Sequence, residues 1–79
     1  MKDYVATFHT HLGALLSYRQ LQKDKISCYM APVPRKLSSS CGTCLFYTAD
    51  QPLVEVMNEE VEGIYVIKDS QYEKIHSNS

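Results

Sequence analysis

The apolar pattern changes period twice within the first thirty residues, and a chain that does this must mix strand with helix. Tyr4 to Phe8 is rich in β-branched and aromatic residues and reads as a first strand. From about Leu12 to Lys23 the spacing becomes helical. Ala14, Leu15, Tyr18 and Leu21 fall on one face, Leu12 and Leu16 widen that stripe, and Ser17, Gln20 and Asp24 lie opposite. The Thr10 side-chain oxygen can cap the helix start. The period then falls to two. Ile26, Cys28 and Met30 alternate with Ser27, Tyr29 and Ala31, as in a strand with one buried face. Pro32 and Pro34 stop it, since neither can donate to a ladder.

The second half repeats the alternation. Leu45 to Thr48 reads as a third strand that can begin at Cys44. "ADQPLVEVMNEEVEG" reads as a second helix, with Asp50 as N-cap, Pro52 in its first turn and Val54, Met57 and Val61 as its stripe. Glu59 and Glu60 oppose the dipole at its C-terminal end, so it should stop by about Asn58. "GIYVI" is the fourth strand, "KDSQ" a turn, and "YEKI" a hairpin partner folding back. The order β-α-β-β-α-β predicts an α+β fold, a two-layer ferredoxin-like (split βαβ) sandwich with helices on one face of an antiparallel sheet. Residues 1–75 form a single domain in this reading, and residues 76–79 a frayed tail.

Composition narrows the function. A chain of 79 residues buries a modest core, which makes a homodimer a reasonable expectation. The net charge of −1 argues against a nucleic-acid partner, because neutralising phosphates needs clustered cations. The six tyrosines are scattered, so sheet packing and rim positions account for them better than base stacking. No apolar run reaches the roughly 20 residues that span a bilayer, and the first residues lack the apolar core of a secretory signal. Three cysteines, an odd count, argue against a disulfide framework and for a reducing cytoplasm.

The chemistry concentrates in "PVPRKLSSSCGTC", residues 32–44. Cys41 and Cys44 make a C-x-x-C pair. If extended, as the strand-like "LFYT" after it suggests, their Cα atoms stand about 10 Å apart, beyond the roughly 7 Å limit for a disulfide. Only a turn at Gly42-Thr43 would join them. A closed zinc site needs four ligands, and beyond this pair the chain offers only Cys28, His9, His11 and His76, so no metal and no cofactor is expected. His9 and His11 flank the first helix start, where a cation is disfavoured; His11 reads as a corner residue, while His9 stays open as a base or ligand. Cys28 reads as a core position and His76 as solvated tail. Arg35 and Lys36 precede Cys41 closely enough to favour its thiolate. Ser38, Ser39 and Ser40, with amides through Gly42, could form an anion-binding nest. Two prolines stiffen the entry, which favours a built loop over a plain linker.

"MAPVPRKLSSSCGTCLF" also resembles the signature of a family of small bacterial selenium/sulfur carrier-like proteins, with Met30, Pro32, Val33, Pro34, Arg35, Leu37, Ser38, Ser40, Cys41 and Gly42 carrying the likeness. "YVATFHTHLGAL" and "VEGIYVIKD" extend it over nearly the whole chain. The resemblance implies a cytosolic, non-enzymatic carrier with Cys41 as its chalcogen-bearing residue and Cys44 as accessory, a resolving thiol at most. The implied partners are a donor such as a cysteine desulfurase and a sulfur or selenium acceptor protein. In this reading Arg35 and Lys36 would stabilise the thiolate and dock an acidic partner, the serines and the Gly42 amide would shield the terminal atom, and His9 is a further candidate binding residue. Two alternatives stand beside it: an anion- or partner-binding module built on the same loop, and a small C-x-x-C redox or metal protein.

Overall fold

The computed structural model describes residues 1–78. The chain is α+β, with one α-helix and a five-stranded sheet. Strand β1 spans Lys2–Phe8, helix α1 His11–Lys23, β2 Cys28–Pro32, β3 Thr43–Ala49, β4 Val61–Lys68 and β5 Gln71–Ser77. The sheet order is β2-β3-β1-β4-β5, and every neighbouring pair is antiparallel. Helix α1 carries the chain from β1 to β2, and β3 lies between those two strands.

Both ends of α1 follow from local chemistry. The Thr10 hydroxyl accepts from the Gly13 N–H at 3.0 Å. At the other end Lys25 adopts a positive φ of 61°, its N–H donates to Gln22 O, and the Ile26 N–H donates to Leu21 O. This 6→1 and 5→2 pair closes the last carbonyls. The buried face differs from the predicted one. It consists of Gly13, Ala14, Ser17 and Leu21, whereas Leu12 and Leu16 are 61% and 43% exposed. Ser17 belongs to the buried face because its Oγ accepts from the Asn58 N–H at 2.8 Å. Gly13 does so because the 58–60 segment crosses it closely: a Cβ there would stand 2.6 Å from Glu60 Cβ.

The second helix is absent, so the predicted two-helix layer is corrected to a single helix. Between β3 and β4 there is only a 3-10 turn, Val54–Val56. Leu53 takes φ 58°, a left-handed conformation that breaks any helix started at Asp50. The β-branched Val54 and Val56 would also lose side-chain freedom in a helix. The segment instead drops Met57 and Val61 into the core below α1.

That core joins Tyr4, Ala6 and Phe8 of β1 to Leu45 and Tyr47 of β3, Ile64 of β4, and Ala14 and Leu21 of α1. Tyr4 and Tyr47 stack at 5.3 Å. Among the described residues no α-helix covers the opposite face of the sheet. The predicted C-terminal hairpin is present, turning through Asp69 and Ser70 at φ 53° and 64°, the pair of positive values a two-residue I′ turn needs. β5 extends through His76 to Ser77, two residues into the stretch expected to fray, because those residues pair with Ile64 and Gly63. The Asn78 N–H adds a bond to Glu62 O at 2.9 Å. The last residue of the expected tail, 79, lies outside the described residues. Among the described residues no helix is long and apolar enough to cross a membrane.

Candidate functional site

Residues 33–42 connect β2 to β3 as a closed loop. The Val33 N–H donates to Gly42 O at 3.1 Å, which continues the ladder one step past Pro32–Thr43. Gly42 sits at φ 73° with nothing within 4 Å of a notional Cβ, so backbone conformation and not space demands glycine there. Leu37 N–H bonds Pro34 O at 3.0 Å, closing a turn with Arg35 and Lys36 at its two central positions. Both cations are exposed, and among the described residues neither pairs with a carboxylate.

Two anchors pin the loop to the sheet. The Ser39 hydroxyl donates to Phe8 O at 2.8 Å. The Ser40 N–H and hydroxyl donate to the two oxygens of one carboxylate, Glu62, at 3.0 and 2.9 Å. His9 Nδ1 stands 3.4 Å from the same group. Thus the expected anion nest is already occupied at Ser40 by an acid of the chain itself. Burial acts to raise the Glu62 pKa. The two Ser40 hydrogen bonds, the Ser39 hydroxyl and His9 outweigh it, and the carboxyl lies below its ordinary value. The single Ser39 proton is best directed at Phe8 O, so Ser40 supplies most of that support.

Glu62 reaches the loop because of a β-bulge. Thr7 pairs with Gly63 and Phe8 with Val61, leaving Glu62 as the extra residue of β4. A bulge re-aims a side chain. Glu62 was missed in the sequence; the signal for it was Gly63, a glycine inside a strand pattern, which commonly marks a bulge.

The three cysteines are free thiols in different settings. Cys41 is part-buried against the core, its Sγ 3.8 Å from Ser39 Oγ and 3.5 Å from Thr43 O. Cys44 alternates with the core residue Leu45, so it points to the other face. It is fully buried between its ladder partners Thr7 and Ala31, and its thiol donates to Pro32 O at 3.6 Å. Burial, and to a lesser degree Cys41, pushes its pKa up to about 11. Cys28 is half-buried against α1, where its thiol contacts Tyr18 O at 3.9 Å and burial raises its pKa.

The structure therefore brings Ser40 and His9 to Glu62, sets Ser39 beside Cys41, and holds Arg35 and Lys36 out on the turn. Ser38 lines a recess with Lys36 and with Tyr65 and Lys74 of the β4–β5 hairpin, and with the same two hairpin residues it lines an adjoining recess that His9 and Glu62 also reach. His11 Nδ1 lies 3.4 Å from Thr43 Oγ1, two residues beyond Cys41. Among the described residues no three His, Cys, Asp or Glu side chains converge in a way that could hold a metal ion.

One family model, described as "Putative Se/S carrier protein-like", matches the chain over residues 3–77, and the chain belongs to that family. The chain is also similar to an Escherichia coli K12 protein named only as uncharacterized protein YtiA, at 27% identity over 71 residues, covering 87% of this chain and 84% of that one. No solved structure matches.

Proposed function

We propose that the protein carries sulfur or selenium on Cys41, as a persulfide or selenosulfide, between a donor such as a cysteine desulfurase and an acceptor protein. The observation that carries this reading is that Cys41 is the thiol in a loop held just before it, by Ser39 to Phe8 O and Ser40 to Glu62, and just after it, by Val33 N–H to Gly42 O. A carrier needs a sulfur that is reachable yet held in one place. The Cys41 thiolate attacks the outer sulfur of a donor persulfide, the donor S–S bond breaks, and the donor thiolate leaves. The acceptor nucleophile then attacks the terminal sulfur and Cys41 departs as thiolate. Neither step needs an external oxidant or reductant.

The alternatives draw less support. The Ser40 donors an external anion would use are spent on Glu62. Cys44, fully buried and protonated up to about pH 11, is a poor resolving thiol. Loading by a cysteine desulfurase with free cysteine, read by intact mass on the wild type and Cys41→Ser, tests the proposal.

A further inference from the structure

The sheet face away from α1 holds a groove that the cysteine chemistry does not use. Lys36, Ser38, Tyr65, Gln71, Tyr72 and Lys74 line it, around a volume of about 420 Å³. One wall is the cysteine loop and the other is the β4–β5 hairpin. Ladder register sets Lys74 opposite Tyr65, and its Nζ lies 5.7 Å from that ring's centroid. Gly63 makes room for this, since a Cβ there would stand 3.0 Å from Lys74 Cε. Among the described residues no carboxylate lines the groove itself, although Glu62 lines the recess beside it, and neither lysine has an ion-pair partner.

We propose that the groove docks an acidic segment of the protein that hands sulfur to Cys41; this rests on the carrier reading above. Two unpaired ammonium groups complement carboxylates, and two tyrosines add amphipathic contact area of the kind that interfaces favour. The groove lies open along its length, unlike small-molecule sites, which enclose most of their ligand. An extended peptide segment fits it better. Its Ser38 wall is three residues from Cys41, so their Cα atoms are within about 11 Å of one another. A partner seated there lies against the loop that carries Cys41.

The test separates docking from thiol chemistry by loading the protein in two ways, from a cysteine desulfurase and from inorganic polysulfide, which needs no docking. Lys74→Glu should slow desulfurase loading about tenfold and leave polysulfide loading unchanged, and Lys74→Arg should restore the rate. Wild-type desulfurase loading should also fall with added salt. Equal desulfurase rates for wild type and Lys74→Glu would overturn the docking surface while leaving the carrier intact. Failure of polysulfide to load wild-type Cys41 would overturn the carrier itself. The groove is then judged by backbone NMR with a Glu-rich peptide. Salt-sensitive shifts at Tyr65, Tyr72 and Lys74 support docking, and their absence overturns it.

Discussion

The carboxylate of Glu62 accepts both the backbone N–H and the hydroxyl of Ser40, at 3.0 and 2.9 Å, and so ties the strand β4 to the loop that carries Cys41. The tie spans 22 positions of sequence and depends on one bulged residue. Replacing Glu62 with Ala removes both acceptors. A hydrogen bond to a charged group contributes about 1.5–3 kcal/mol, and because solvent screens both of these exposed bonds, Glu62→Ala should cost about 2 kcal/mol for the pair in denaturant unfolding. Hydrogen exchange should rise in the cysteine loop well before it rises in β1 or β3.

The same carboxylate predicts a pH response. Its folded pKa lies below the unfolded value, so its stabilisation is fully present above the unfolded pKa. That contribution is lost as pH falls from the ordinary glutamate value of about 4.3 through the folded one. Wild type should therefore lose more stability on acidification than Glu62→Gln. Parallel unfolding midpoints for the two proteins in that range would remove Glu62 as the cause.

Thiol labelling should be ordered. Cys41 is part-exposed, whereas Cys44 has no accessible surface and keeps its proton up to about pH 11. At neutral pH iodoacetamide should label Cys41 first, and Cys44 only on unfolding. Peptide mapping of native and denatured samples distinguishes the two sites.

Gly13→Ala pits two effects against each other. Alanine is favoured over glycine inside a helix by roughly 0.5–1 kcal/mol. Here the new methyl would meet Glu60 Cβ at 2.6 Å, and an atom that close to the backbone cannot swing away. Overpacking costs about 1–3 kcal/mol, so the variant should be less stable than wild type in thermal melts.

The strands and α1 were legible in the sequence because their signals are local: β-branched runs, period-two alternation at 26–31, a Thr10 cap and the Asp69-Ser70 turn. The second helix failed for a nonlocal reason. Val54 and Met57 recur at helical spacing, yet Leu53 turns left-handed and Met57 drops into the core beneath α1. The helix face was misread likewise, since Ser17 is buried by a hydrogen bond to Asn58, 41 positions away. In the site, the end of β2 at the loop was legible from Pro32 and Pro34, and the place of Cys44 at the head of β3 from the strand-like run after it. Glu62 was not, because its reach depends on register between β1 and β4. Arg35 and Lys36 precede Cys41 closely in sequence, but the Pro34–Leu37 turn holds them at its exposed tip.

The central claim, that Cys41 carries the chalcogen, is tested most directly by intact mass after incubation with a cysteine desulfurase and cysteine. The account predicts that wild type and Cys44→Ser gain the mass of one sulfur atom, reversed by a thiol reductant, and that Cys41→Ser gains none. An unchanged wild-type mass, or an equal gain on Cys41→Ser, would contradict it.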